Sequence, residues 1–353
     1  MTQRARAVTI IGAALFCTAI LAGCHQDGRE TIISAVGSYG EIAVLLTDPE
    51  LEAALGPFQE RLSGKETFVI RAEDTYRFHT FTEDRWRDGR NYRNLLFVCR
   101  WGAGGGVQKA VERLLPDAAL DRLTGGRGGV VTVRDPYFRN QLAFVAVARD
   151  ANDLLRTLND HAEAMRDSLS DDINRRIVRD NRRQGLLPGI ERRAWDAFGF
   201  GLELPDVFKE NQARPDGFPG VEWLRTDVAT RGVTVSWEDA PDPAARLMER
   251  EALVAQRERL GAALHGETLD AASFAWSRET VAGLPAVKLG GNWRSERVEV
   301  GGPFWCYFVA DEARGRVYCL DLLVYAPNKE KMDYFRRLRA VLETFSITAP
   351  DSR

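Results

Sequence analysis

Imidazoles, thiols, carboxylate pairs and glycine-rich loops are the groups in this 353-residue chain that could do chemistry. The histidines are His25, His79, His161 and His265, and none stands in the His-x-x-x-His or His-x-His spacing that aims two rings at one metal. No metal site is therefore expected. Acidic pairs such as Glu249 and Glu251 fall on predicted helix faces, whereas glycoside hydrolysis needs two carboxylates facing across a cleft. No Gly-x-Ser-x-Gly elbow presents a serine nucleophile. Gly102, Gly104, Gly105 and Gly106 follow a predicted strand and open a predicted helix, a placement in which free amides can cradle phosphate. Their spacing is not that of a dinucleotide fingerprint, and no Lys-Ser/Thr pair follows as in a P-loop. A plain loop is expected there, and another at Gly125, Gly126, Gly128 and Gly129, with no nucleotide or other cofactor. With no catalytic constellation in view, a non-enzymatic role is favoured.

One cluster is denser. Trp293, Phe304, Trp305, Tyr307, Phe308, Tyr318 and Tyr325 fall within 33 residues. An exposed strip of such rings could stack on sugar or peptide. Both faces of Val317 to Tyr325 are largely apolar, however, so a core role comes first. Trp293, Gly301, Gly302, Pro303, Phe304, Tyr325 and Pro327 are singled out here as a structural motif first and a ligand site second. In this reading Gly301-Gly302-Pro303 makes a sharp turn, and Pro327 ends the returning strand where Asn328 caps a helix.

The elements that would carry these residues begin after an address. Arg4 and Arg6 precede an apolar run from Ala7 to Ile20, and Leu21-Ala22-Gly23-Cys24 follows. A basic start, a short apolar core and small residues describe a secretory signal. The tetrad resembles the lipobox of bacterial lipoproteins. That likeness implies cleavage of residues 1–23 and lipid on Cys24, with residues 24–36 as a tether. Two or more acyl chains make a firm membrane anchor. His25 stands where an inner-membrane lipoprotein would carry Asp. The expected address is thus the cell envelope, at the outer membrane and facing the periplasm or cell surface.

Without Arg4 and Arg6 the chain keeps 46 basic and 51 acidic residues, near −5 in net charge. A nucleic-acid partner would want a clustered basic excess, which is absent. Cys99, Cys306 and Cys319 are too few for a disulfide framework. Cys306 and Cys319 flank a predicted hairpin, and small core residues are expected there rather than a bridge.

Strands are predicted at Glu41 to Thr47, Glu66 to Ala72, Asn94 to Cys99, Val130 to Val133 and Leu142 to Ala148. Asp48-Pro49 opens a helix to Leu62, and Val107 to Leu123 is a helix broken near Pro116. Leu154, Leu158, Ala162, Met165, Leu169, Ile173 and Ile177 make one apolar stripe on a helix from Ala151 to Arg183. Gly185 to Gly189 breaks it and divides a 37–184 domain from a 190–348 domain. In the second, Val233, Val235 and Trp237 alternate with Thr234 and Ser236 as in a strand wet on one face. Asp242-Pro243 opens a helix to Leu264. Short strands at Ser273 to Trp276 and Ala286 to Leu289 precede a hairpin of Phe304 to Ala310 and Val317 to Tyr325. A final helix carries Met332, Phe335, Leu338, Leu342 and Phe345. The fold class is α/β in the α+β sense: two halves, each a sheet packed by helices, the second largely antiparallel.

Gly301-Gly302-Pro303-Phe304, Leu323-Val324-Tyr325-Ala326-Pro327 and Lys331 to Leu342 resemble the end of a bacterial lipoprotein family, domain of unknown function 4837, known mainly from Bacteroidetes. Gly291-Asn292-Trp293-Arg294, Arg93-Asn94-Leu95-Leu96 and Gly40-Glu41-Ile42-Ala43-Val44 are similar to further elements of it, as are Leu204-Pro205 and Glu222-Trp223-Leu224-Arg225. The likeness runs from Val36 to Phe345. It departs at Asp48-Pro49-Glu50-Leu51, where the family carries a Trp, and at the glycine-rich Arg100 to Gly106. It implies an address and an architecture, and no activity. The expected role is an envelope binding or accessory module for a protein or glycan partner. The rival is an envelope hydrolase acting on a cell-surface polymer.

Overall fold

Near-continuous apolar runs are suited to strands covered on both faces, and the first half of the chain is built on three of them. The computed structural model describes residues 34–68, 71–212, 215, 217–295 and 297–349. The expected signal segment, Cys24 and most of the expected tether lie outside these residues. In chain order the first half contains β1 (Glu41–Leu46), a 3-10 turn (Pro49–Leu55) running into α1 (Gly56–Ser63), β2 (Lys65–Thr67), β3 (Ala72–Asp74), β4 (Arg77–Phe81) and α2 (Trp86–Gly89). It continues with β5 (Asn94–Arg100), α3 (Gly105–Leu114), α4 (Asp117–Gly125), β6 (Gly129–Arg134), β7 (Leu142–Ala148) and α5 (Ala151–Gln184). Five strands form one sheet in the order β4-β1-β5-β7-β6. β5 and β7 run parallel, and β6 is antiparallel to β7. Val107, Val111, Leu120 and Leu123 of α3 and α4 pack on Leu95, Phe97, Val145 and Val147. Pro116 separates the two helices, because it has no amide to continue α3. Glu66 to Ala72 is not one strand: β2 and β3 pair antiparallel, with Phe68 N donating to Arg71 O at 3.1 Å.

The chain forms two compact units that do not follow the sequence halves. Ala43–Leu55 and His79–His161 belong to one, and Gly37–Ile42, Gly56–Phe78 and the chain from Ala162 onward to the other. Gly185 to Gly189 lies inside the second unit. There the continuous apolar stripe of α5 ends at a backbone that only glycine adopts easily, Gly185 having φ +126°.

The rest of that unit comprises α6 (Ile190–Phe198), β8 (Lys209–Glu210), β9 (Gly220–Thr226), β10 (Thr230–Asp239), α7 (Pro243–Arg246) and α8 (Arg250–His265). β11 (Glu267–Val281), β12 (Leu284–Ser295), β13 (Val300–Asp311), β14 (Arg316–Tyr325) and α9 (Met332–Leu342) complete it. Seven strands pair antiparallel in the order β11-β12-β13-β14-β10-β9-β8. One face carries Trp305, Tyr307, Tyr318 and Leu320 against Phe335 and Leu338 of α9. The other carries Phe304, Cys306, Phe308 and Cys319 against Leu253 and Leu260 of α8. Because both faces are covered, Thr234 and Ser236 are 2% and 4% exposed rather than wet.

Four further expectations change. The helix opened by Asp242-Pro243 is interrupted: Asp242 Oδ1 accepts from Ala245 N at 2.8 Å as a cap, but the chain tightens after Arg246 and restarts as α8. The short strands around Ser273 and Ala286 are parts of 15- and 12-residue strands. Asn328 does not cap α9. It sits in a turn at φ +59°, and the helix starts at Met332. Finally, Gly301-Gly302-Pro303 is no turn but the start of β13, paired to Arg294, Trp293 and Asn292. Neither glycine has positive φ. They are needed for close approach instead. A Cβ at Gly301 would lie 2.7 Å from Trp293 O, and one at Gly302 would run into Val324 O. Pro303 precedes the β14 ladder, which begins at Phe304 and Leu323, so its missing donor is spared.

Candidate functional site

Most of the singled-out motif is core, and only Gly301 and Pro327 of its residues are exposed. Trp293 and Phe304 are buried, Tyr325 is half-buried, and the aromatic cluster is divided between the two covered faces of the sheet. Pro327 follows β14, which ends at Tyr325. Cys24, the expected lipidation site, lies outside the described residues. The first glycine loop is filled from within. The Glu83 carboxylate accepts from the amides of Gly106 and Val107 at the start of α3, and Gln108 Oε1 accepts from Gly102 N and Gly104 N at 3.0 and 2.9 Å. The amides that an anion would use are thus bonded to the protein's own side chains. His161 faces Thr157 O at 2.8 Å, and His79 packs on Tyr92. Among the described residues no three His, Cys, Asp or Glu side chains converge as metal ligands.

Sequence reasoning missed a charge cluster under α8. Arg257 is fully buried and donates through Nε to Asp321 at 2.7 Å and through Nη2 to Glu267 at 2.9 Å. Its guanidinium stands 4.7 Å from the Phe304 ring centre. Gly261 makes room for it, since a Cβ there would meet the Glu267 carboxylate at 2.6 Å. Burial pushes the Asp321 carboxyl up to about 6, against the pull of Arg257. Nearby, Glu222 is buried between Asn211 Nδ2 at 2.6 Å and His265 Nε2 at 2.7 Å. Burial works against charge on His265, yet its hydrogen bond to Glu222 and that carboxylate's charge leave its pKa raised. The one available signal was Asp321 itself, an acid inside the apolar run of β14. An acid placed there must find a cation.

Two surface cavities contrast with this interior. A cleft of about 230 Å³ is lined by Arg71, Arg77, Arg336, Glu330 and Asp333. Its cations are neutralised by their neighbours: Arg77 meets Glu330 at 2.8 Å, and Arg336 meets Asp333 at 2.6 Å. The other, also about 230 Å³, is a groove formed by Leu247, Met248, Arg250, Trp276, Arg278 and Val287. Met248 is 65% exposed there. The Arg250 guanidinium lies 5.2 Å from the Trp276 ring centre, and Arg278 Nη2 is 3.8 Å from Met248 Sδ. Neither arginine makes an ion pair within 4.0 Å among the described residues. An apolar floor flanked by two unpaired guanidiniums suits a ligand with an apolar or ring surface and negative charge. Among the described residues no helix is long and apolar enough to cross a membrane.

The family model described as Domain of unknown function (DUF4837) matches residues 190–344, the C-terminal part of the span over which the likeness was read. No curated protein matches the chain. Among solved structures, a Bacteroides thetaiotaomicron protein is 10% identical over 48% of this chain and 50% of its own, with a TM-score of 0.29. The chain therefore spans half of that protein. LpqN, involved in cell envelope biogenesis of Mycobacterium tuberculosis, is 19% identical over 42% of this chain and 82% of its own, at 0.29. The cyanobacterial PsbP of Synechocystis is 13% identical over 42% and 87%, also at 0.29.

Proposed function

Residues 190–344 match the model of a family of unknown function, and from that premise we propose that the chain is a lipid-anchored envelope protein whose C-terminal domain binds an acidic protein or glycan partner. The observation that carries the reading is the groove beside Trp276, where Arg250 and Arg278 stand unpaired over an apolar floor. A shallow groove of this kind favours binding over the rival reading of a polymer hydrolase. Within the charge cluster under α8, the Arg257, Glu267 and Asp321 side chains are at most 2% exposed, and both carboxylates are engaged by Arg257. The anchor rests on Leu21-Ala22-Gly23-Cys24.

The test uses poly-glutamate and polygalacturonate as peptide and glycan polyanions. Arg250→Glu with Arg278→Glu should weaken whichever one binds by roughly tenfold or more at low salt, the loss of one to two charge contacts. Equal binding by wild type and variant would remove the groove from the account.

A further inference from the structure

The thiols of Cys306 and Cys319 lie 2.9 Å apart, both fully buried on the α8 face of the central hairpin. Cys306 opposes Asp321 and Cys319 opposes Phe308, so the two cysteines are diagonal neighbours on one face of β13 and β14. A disulfide needs the sulfurs at about 2.05 Å and the Cβ atoms at about 3.5–4.5 Å. The two sulfurs are already pointed at each other across one strand spacing, and less than about 1 Å of further approach closes the bond. We propose that Cys306 and Cys319 are a bond-forming dithiol that closes to a cross-strand disulfide when the chain meets a disulfide oxidant, either a small molecule or an exchange-active protein.

The chemistry balances without a metal or flavin. One cysteine thiolate attacks a sulfur of the incoming disulfide and expels a thiolate. The second cysteine then attacks the mixed disulfide and releases the other half. The incoming disulfide takes up two electrons and leaves as two thiols, which carry the two protons given up by Cys306 and Cys319. The timing follows from the packing. In the closed core no oxidant reaches the pair, and burial pushes the Cys306 thiol well above its ordinary value, which starves it of thiolate. The bond is therefore made while β13 and β14 are still opening to solvent, during folding. Cys99 supplies an internal control, being buried and held up at about 12 by burial. The proposal does not depend on the Trp276 groove. Export would supply the oxidising surroundings.

The test is to unfold the purified full chain in denaturant, refold it over a series of reduced-to-oxidised glutathione ratios, quench with acid, alkylate in denaturant and digest with trypsin. The Val298–Arg314 and Val317–Lys329 peptides each carry one of the two cysteines. Under oxidising ratios they should appear joined, two hydrogens lighter than the pair, and separate on reduction. The Asn94–Arg100 peptide should stay alkylated at Cys99. The bridged protein should melt several degrees above its reduced form, and Cys319→Ser should abolish the joined species. Folded reduced protein given the same oxidant without denaturant should stay reduced far longer. Alkylation of both cysteines at every ratio, separate glutathione adducts on each, or a bridge to Cys99 would each overturn the proposal. Equally fast oxidation of the folded protein would overturn the timing.

Discussion

Asp321 and His265 bind their protons more tightly in the folded chain than in the unfolded one. Asp321 is pushed up to about 6 by burial, and the His265 value is raised by Glu222 after burial is outweighed. The folded protein thus holds more protons than the unfolded chain from the ordinary Asp range, about 3.9, up to the folded value of His265. Stability should fall as pH rises through that window. The His265 share is fully present below its unfolded value of about 6.5 and is lost above its folded one. Melting temperature at constant ionic strength should drop from pH 5 to pH 8, and His265→Gln should flatten the upper part of the drop. A melting temperature that climbs over this range would contradict the protonation scheme. A second residue-scale expectation concerns Gly302. Gly302→Ala drives a methyl group into Val324 O and should cost about 1–3 kcal/mol by denaturant unfolding. Gly125→Ala meets nothing within 4 Å and should be near neutral. Equal effects from the two would show that crowding is not what Gly302 avoids.

Among the elements, α9 depends on a partner far away in sequence. Glu73 Oε2 accepts from Lys331 N at 2.8 Å and Met332 N at 3.0 Å, satisfying amides that the start of a helix leaves free. Glu73→Ala leaves these buried donors unmet and should cost about 1–3 kcal/mol. Hydrogen exchange should speed up at Lys331 and Met332 while the amides of β13 stay protected. Unchanged protection at those two amides would show that water or another group replaces the cap. The same cap marks where sequence reading stops. The stripe from Leu154 to Ile177, the apolar runs of β1, β5 and β7, and Asp242-Pro243 were legible, because periodicity and caps act within a few residues. Asn328 looked like the cap of α9 because local spacing cannot reveal a carboxylate arriving from Glu73. Gly301 and Gly302 looked like a turn because a glycine kept for positive φ and one kept for close approach are the same letter. The Trp276 groove stayed hidden because Met248 and Arg250 lie just before and at the start of α8 and Trp276 lies in β11, and they meet only when α8 packs along that strand.

At the scale of the whole molecule, the expected anchor decides where the domain works. Two or more acyl chains bind a bilayer stably, whereas one alone is marginal. Cys24→Ser should therefore release the protein from the membrane fraction or leave it uncleaved, as read by fractionation and by the mass of the N-terminal peptide. A mature N-terminus elsewhere, without lipid, would refute the anchor. An anchored protein is concentrated in two dimensions, and there the outer strand of the seven-stranded sheet acquires importance. β11 is 15 residues long and lies at the sheet edge. An edge of that length, if straight, is a template on which another chain can add a strand. β11 is not straight: its register with β12 shifts between Asp270 and Ala275. The shift leaves two shorter stretches, with Asp270 on one and Arg278 and Glu279 on the other. A neighbouring copy would have to match the bulge and bring complementary charge to both stretches at once. Crowded on a surface, these molecules can meet edge to edge without polymerising.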